Sequence, residues 1–236
     1  MNFPLNQILF IDIETVPLNP DYQTLSEDYQ KFWERKSSFF RSENETAADV
    51  YQRAGIYAEF GKIICISVGL VVERGGQKKF RQKSFAGHDE KQLLLDFAAM
   101  LHDYAPKGDK AFCGHNIREF DIPYISRRML INGIQLPPML DNYGKKPWEV
   151  NHIDTLDLWK FGDYKNYTSL ELLTHLFDIP TPKDDIDGSQ VAEVYYVEQN
   201  LPRIVSYCEK DVLSVARLYL KFRFLPGIED ENVEKV

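Results

Sequence analysis

The sequence has few cysteines, no long apolar run and no excess of positive charge. Its three cysteines, Cys65, Cys113 and Cys208, are far apart, and no pair has the CxxC spacing of a redox or metal motif. No segment reaches the roughly 18 consecutive apolar residues of a membrane-spanning helix. The N-terminal residues also lack the basic region of a signal peptide. These absences argue against a disulfide scaffold or a membrane protein, and they predict a cytoplasmic protein with reduced thiols.

Charge and composition are those of an ordinary globular domain with an acidic balance. The 236 residues are 44% apolar, 13% aromatic and 27% charged, and 28 basic residues against 36 acidic ones give a net charge of −8. A negative net charge disfavours a protein that coats nucleic acid or anionic lipid with a basic surface. It leaves room for a site that gathers divalent cations. The length favours one domain over residues 1–236.

The hydrophobic pattern predicts an α/β fold in which helices flank a mixed central sheet. Between the first two strands, the polar and aromatic residues of about 20–60 predict a helical insertion. The acidic tail, about 227–236, is expected to be frayed. The other predicted elements are strands over 7–13, 62–72, 78–85, 110–114 and 152–158 and helices from about 90, 120–131, 169–177, 189–199 and 202–222.

Two acidic residues interrupt the first apolar strand. Asp12 and Glu14 are two residues apart, so their side chains project from the same face of a strand, whereas Ile11 and Ile13 face the opposite side. Two anions held this close repel each other and need a cation or a proton. An acid-x-acid pair is common by chance, but an acid inside an apolar strand is costly without a function.

Two further acids lie at helical positions. Asp121 follows a short apolar strand and begins a helix, where a lone aspartate can also serve simply as a favourable charge for the helix dipole. Asp211 lies four residues after Tyr207 on the last long helix, so the two share one side of that helix beside its apolar stripe.

Taken together, four carboxylates from a strand, a helix start and a distant helix predict a site for hard cations. Carboxylate oxygens suit Mg²⁺ or Mn²⁺ better than zinc. Two such ions roughly 3.5–4 Å apart clamp the attacking and leaving oxygens of a phosphoryl displacement. The residues therefore point to metal-dependent phosphodiester hydrolysis.

Three segments resemble the motifs of a known superfamily. FIDIET with Asp12 and Glu14, NIREFD with Asp121, and YCEKD with Tyr207 and Asp211 occur in the order of the exonuclease motifs of the DEDD 3′–5′ exonucleases. They look most like the tyrosine subclass (DEDDy) and the proofreading domain of family B DNA polymerases. The resemblance implies a ribonuclease-H-like fold and a stand-alone exonuclease without a polymerase module.

The same resemblance implies a role for each motif residue. Asp12 would bridge two metal ions, Glu14 and Asp211 would complete the metal on the nucleophile side, and Asp121 would hold the other. Tyr207 would orient the attacking water. The residues expected to contact the substrate are Thr15, Asn116, Arg118 and Phe120.

A second pattern, HIDTLD, has the H-x₄-D spacing of the histidine branch of that superfamily. We reject His152 and Asp157 as a catalytic pair because this segment is predicted to be a strand upstream of the last helix, where the family places its motif. His152 and Asp154 are instead expected at the ends of a strand that lines the cleft, with Asp157 as a helix cap.

Basic residues surround the Asp121 motif. They would either contact phosphates or form a solvated face, and for most the solvated face is favoured. Arg118 is the exception, because it lies inside the motif. The members of this group are Arg118, Arg127, Arg128, Lys145 and Lys146.

The predicted reaction is stepwise release of nucleoside 5′-monophosphates from the 3′ end of a single-stranded or frayed DNA. DNA is favoured over RNA only by the resemblance, so an exoribonuclease stays open, as does a non-cutting module that binds nucleic-acid ends. A phosphatase with an aspartyl nucleophile fits poorly, because it needs an aspartate where Glu14 stands. The insertion would act as a lid or would dock a protein partner, and no membrane partner is expected.

Overall fold

A six-stranded mixed sheet is built around the first predicted strand in the computed structural model, which describes residues 3–163, 167–180 and 186–236. The strand order is β5-β4-β1-β2-β3-β6. β1 pairs antiparallel with β2 and parallel with β4, and β2 continues through a hairpin into β3. The strands are β1 Ile8–Pro17, β2 Gly61–Arg74, β3 Gln77–Ala86, β4 Ala111–Gly114, β5 Ile153–Asp154 and β6 Val233–Lys235.

Helices cover both faces of this sheet, so the predicted α/β class with a mixed sheet is confirmed. On one face, Leu9, Ile11 and Ile13 of β1 pack against α2 and α3. On the other, Ile8 and Phe10 pack against α7. The helices are α1 Glu27–Ser37, α2 Glu90–Tyr104, α3 Asp121–Ile131, α4 Thr155–Lys160, α5 Leu170–Leu176, α6 Val191–Tyr196 and α7 Leu201–Phe222. Among the helices of the described residues, none has the length and apolar character needed to cross a bilayer.

The segment between β1 and β2 forms short helices, as predicted, and has a small core of its own. The indole of Trp33, on α1, is fully buried and donates a hydrogen bond of 2.8 Å to the backbone oxygen of Ala47. Its ring contacts those of Tyr51 and Phe60, with centroids 5.8 and 5.2 Å apart. The insertion is therefore a packed subdomain attached to the end of β1.

The prediction of a strand over 152–158 is wrong except for Ile153 and Asp154. Only Ile153 and Asp154 pair with β4, and the chain then enters α4. The Asp154 carboxylate accepts a hydrogen bond from the backbone N–H of Leu156, which caps the new helix and ends the strand. Asp157, expected to be the cap, lies instead inside the first turn of α4.

The acidic tail is ordered, contrary to the expectation that it is frayed. Ile228 is buried, and β6 pairs parallel with β3 through partners such as Phe80 and Val233. Arg217 of α7 donates to the backbone oxygen of Ile228 at 3.0 Å and to the Asp230 carboxylate at 2.6 Å. These contacts offset the charge of the tail and hold it against the sheet.

Candidate active site

The first pair of acids lies on the face of β1 that α7 covers, as the strand periodicity predicts. Ile11 and Ile13 enter the core on the opposite face. Glu14 is only 7% exposed, and Asp12 is partly buried. Two carboxylates therefore project into a space between the sheet and α7 that is largely shielded from solvent.

The second motif, NIREFD, begins just after the end of β4, where the chain stops pairing with β1. At this point Gly114 approaches β1 closely: a Cβ atom there would lie 2.0 Å from a methyl group of Ile117 and 2.8 Å from the backbone oxygen of Ile11. Only glycine permits this approach. The chain then turns into α3, whose first residue, Asp121, is 3% exposed and contacts its own backbone N–H and that of Ile13.

The third motif comes from α7, which begins at an Asn200 cap with Pro202 in its first turn. The hydroxyl of Tyr207 donates a hydrogen bond to Asp211. Between them, the Cys208 thiol lies 3.3 Å from Oδ2 of Asp12. The structure thus brings α7 and its two predicted residues directly against the first motif.

Mutual repulsion and burial act on these carboxyl groups. The pKa of Asp12 is raised well above its usual value by burial and by the charges of Glu14, Asp211 and Asp121. The pKa of Glu14 is raised in the same way by burial, Asp211, Cys65 and Asp121. Burial raises the pKa of Asp121 to about 8. A group of carboxylates that retains protons near neutral pH will exchange them for cations, so the donor set fits divalent metal ions.

The environment of Tyr207 keeps its hydroxyl protonated. Burial, followed by the charges of Asp211, Glu14 and Asp12, raises the pKa of this phenol far above its usual range. A phenol with such a pKa does not serve as a base at neutral pH. It can position another group by donating or accepting a hydrogen bond.

Cys208, which the sequence predicts only to be a reduced thiol, is a member of the site. One donor atom each from Asp12, Glu14 and Cys208 lies within 4.8 Å of the others. Its position three residues before Asp211 is the signal that was available, because residues at i and i+3 share a helix face. The thiol adds a soft donor to an otherwise hard set.

Asp154 also has a structural role in the site that the sequence does not predict. Its carboxylate accepts hydrogen bonds from the backbone N–H groups of Asn116 at 2.8 Å and of Arg118 at 3.0 Å. Asn116 adopts a left-handed backbone with φ of 65°. Asp154 therefore fixes the turn between β4 and α3, and through that turn it fixes the position of Asp121.

The residues expected to contact substrate lie around this site and already have protein partners. The Thr15 hydroxyl donates to the backbone oxygen of Gly55 at 2.8 Å. Arg118 contacts the backbone oxygen of Pro147, and its guanidinium lies 3.5 Å from Asp157. The ring of Phe120 packs on Tyr124 with centroids 5.4 Å apart. Substrate contact by these residues stays a prediction.

Arg128 and His152 both have partners within the protein that bear on the roles considered for them. Arg128 is buried in an ion pair with Glu90, at 2.5 Å, so it does not belong to the basic residues that could meet phosphates. His152 contacts Phe112 and Asn142, whereas Asp157 pairs with Arg118 and Lys160. These separate contacts support the rejection of His152 and Asp157 as a catalytic pair.

Residues 56–235 match the model of a family described as predicted 3′–5′ exonucleases related to the exonuclease domain of PolB. The matched range contains Asp121, Tyr207 and Asp211 and begins after the strand with Asp12 and Glu14. No curated protein sequence matches the chain.

Among solved structures, the fold is similar to that of the family B DNA polymerase from the hyperthermophilic archaeon Pyrobaculum calidifontis. The TM-score is 0.55 at 16% sequence identity, over 93% of this chain. The chain spans only 24% of that polymerase. At this identity the likeness establishes the fold alone.

Proposed function

The chain belongs to the family of predicted 3′–5′ exonucleases related to the exonuclease domain of PolB, and on that premise we propose that it removes nucleotides one at a time from 3′ ends. The substrate in this proposal is a single-stranded or frayed DNA end, and the product is a nucleoside 5′-monophosphate. One exonuclease domain, located in the cytoplasm, would occupy residues 1–236.

One observation carries this proposal. Acids from β1, from the start of α3 and from α7, which are far apart in sequence, lie close enough in the fold for Asp121 and Asp211 to raise the pKa values of Asp12 and Glu14. A structural role would not require four carboxylates to converge, since burying like charges together costs free energy. The arrangement favours a site built to hold positive charge.

In this proposal, Asp12, Glu14, Asp121 and Asp211 would hold two divalent cations, Mg²⁺ or Mn²⁺. Bound ions of this kind stabilise the attacking and leaving oxygens of an in-line phosphoryl displacement. The protein contributes the rigid placement of the four acids by one strand and two helices. It also contributes partial burial, which strengthens each electrostatic interaction inside the site.

Tyr207 would orient the attacking water. Its hydroxyl stays protonated and donates to Asp211, so an oxygen lone pair is left that can accept a hydrogen bond from water. Tyr207 would therefore fix the direction of attack without taking up the proton. This role predicts a slower enzyme, rather than an inactive one, when the hydroxyl is removed.

The choice of DNA over RNA rests on the motif resemblance to the polymerase branch. The net charge of −8 is compatible with a nucleic acid substrate, because bound cations and a few basic side chains can supply the attraction. The insertion between residues 20 and 60 would act as a lid or dock a protein partner. Its exposed rings, Phe32 and Phe39, suit the second role.

The test is a strand-shortening assay. Single-stranded DNA and RNA of the same sequence, each labelled at the 5′ end, are incubated with the protein and Mg²⁺, Mn²⁺ or chelator. We expect a metal-dependent ladder that shortens from the 3′ end, more rapidly for DNA. Faster shortening of RNA would make the protein an exoribonuclease, and intact strands in every lane would favour a non-cutting module that binds ends.

A further inference from the structure

A groove of about 760 Å³ runs along the outer side of α3, separate from the four carboxylates. One wall consists of α3 residues, Ile122, Ser126 and Leu130, and the opposite wall comes from the loop between α3 and β5. We call this feature the α3 groove. Its size and its open, partly apolar lining are those of a ligand site.

Positive charge is concentrated here although the chain is acidic. Four basic residues line the α3 groove, against two acidic ones, Glu119 and Asp157. Arg127 and Lys145 are exposed, which leaves their charged ends accessible from the groove. The basic lining residues are Arg118, Arg127, Lys145 and Lys160. A local excess of two positive charges in a chain of net charge −8 favours an anionic ligand.

His152, which also lines the groove, has a buried ring nitrogen without a partner. Lys145 donates a hydrogen bond to Oδ1 of Asn142 at 3.2 Å, which orients that amide so that its nitrogen faces Nε2 of His152 at 3.1 Å. Nε2 then accepts, and the proton of the neutral ring lies on Nδ1. This nitrogen makes no hydrogen bond in the structure, although His152 is 7% exposed. An unsatisfied buried donor is costly, so His152 is an unsatisfied polar group in the wall of the groove.

The groove begins beside the second motif in the chain. Ile122 and Pro123, which line it, directly follow Asp121, and Arg118 and Glu119 lie just before. Tyr143 lines the groove with 82% of its surface exposed, and Trp148 is 72% exposed next to Pro147. Exposed rings beside basic side chains are the combination that binds single strands without sequence preference.

From these observations we propose that the α3 groove binds the single strand of nucleic acid whose 3′ end occupies the candidate active site. Arg127 and Lys145 would contact backbone phosphates, and Tyr143 would stack on a base. The inference deepens the proposed function and rests on it. It gives the strand a binding track whose affinity does not depend on the four carboxylates.

The test measures binding without cleavage. A fluorescein-labelled strand of 15 thymidines is titrated in the presence of chelator at several salt concentrations. The double variant Arg127→Gln/Lys145→Gln is compared with Lys91→Gln/Lys221→Gln, which removes two exposed lysines from α2 and α7 outside the groove. Both pairs change the net charge equally, and both variants are checked for an unchanged melting temperature.

We expect the groove variant to bind about tenfold more weakly, with less than a twofold change for the control pair. Each phosphate contact contributes about 0.7 to the slope of log affinity against log salt for single strands, so the slope should fall by about 1.4. Equal weakening by both pairs, no weakening by either, or no binding by the wild type would overturn the proposal. So would equal competition by polyglutamate of the same length, since that would show a site for any polyanion.

This test separates the two proposals. If the wild type shortens strands but both variants bind like it, the groove proposal fails and the exonuclease stands. If the groove variant alone loses affinity while the wild type cuts no strand with any metal, the groove is a nucleic acid site and the proposed exonuclease fails.

Discussion

The carboxyl group of Asp121 contacts the backbone N–H of Ile13, the residue that separates Asp12 from Glu14. This contact joins the second motif directly to the backbone of the first. It is possible because β4 pairs with β1 only as far as Phe10, and the chain then leaves the sheet at Gly114. The distance between the acids of the two motifs is therefore set by backbone structure.

Asp12→Asn should strongly slow cleavage and remove the stabilisation by Mg²⁺ while leaving the fold intact. Removing one charge-stabilising group of an active site costs about 10³-fold in rate. Mg²⁺ at 100 times its dissociation constant should raise the free energy of unfolding of the wild type by about 2.7 kcal/mol. Thermal melting with and without Mg²⁺ should show this stabilisation for the wild type only. An equal Mg²⁺-dependent shift in the melting temperature of the variant would show that Asp12 is not a metal ligand.

Tyr207→Phe should leave an enzyme about 10²-fold slower, since one positioned hydroxyl is lost and all carboxylates remain. The Mg²⁺-dependent shift in melting temperature should persist. Initial rates of strand shortening at saturating substrate measure the effect. Residual activity equal to that of Asp12→Asn would contradict the separate roles of the two residues.

Without metal, the protein should become less stable as the pH rises from about 6.5 to 8. Asp121, with its pKa raised to about 8, keeps a proton in the folded state that the unfolded chain has already lost, so its contribution declines up to that pH. Asp12 and Glu14 act in the same direction. Burial lowers the pKa of His152 to about 4, but its opposite effect is complete above the unfolded value of about 6.5.

Urea unfolding at several pH values in chelator tests this dependence. One retained proton corresponds to a slope of about 1.4 kcal/mol per pH unit. Asp121→Asn should reduce the slope. Because cations compete with these protons, Mg²⁺ should stabilise the wild type more at pH 8 than at pH 6.5. A free energy of unfolding that rises from pH 6.5 to 8 would contradict the raised pKa values of the clustered carboxyl groups.

The neighbouring arginines of α3 should differ sharply in their effect on stability. Arg128 donates to the Glu90 carboxylate through Nε at 2.9 Å and through Nη2 at 2.5 Å, and to the backbone oxygen of Ala58 at 2.9 Å. Arg128→Met leaves Glu90 buried without this partner, so it should cost about 3–5 kcal/mol of unfolding free energy. The exposed Arg127→Met should change it by less than about 0.5 kcal/mol. Similar midpoints of urea unfolding would refute the structural role of Arg128.

The predictable parts of this molecule depend on short-range spacing. Two residues along a strand place Asp12 and Glu14 on one face, and four along a helix place Tyr207 and Asp211 together. The compact apolar run around those acids predicts the strand itself. These patterns hold whatever the rest of the chain does.

The unpredicted parts depend on contacts between distant segments. Asp154 caps a helix and holds the turn at Asn116, 38 residues away, and neither contact leaves a periodic pattern. The tail forms β6 because β3 offers an edge and Arg217 holds Asp230. Cys208 joins the carboxylates only because α7 crosses β1 at that point. The acidic composition predicts a frayed tail, but the pairing of β6 with β3 orders it.

If the four carboxylates hold two divalent ions, each chain should bind two Mn²⁺ ions. Electron paramagnetic resonance of free Mn²⁺ at pH 8, with thymidine 5′-monophosphate present as the product, gives the number of ions bound per chain. We expect two for the wild type and fewer for Asp12→Asn and Asp121→Asn. No bound Mn²⁺ in the wild type, or the same number in all three proteins, would show that these carboxylates do not form a two-metal site.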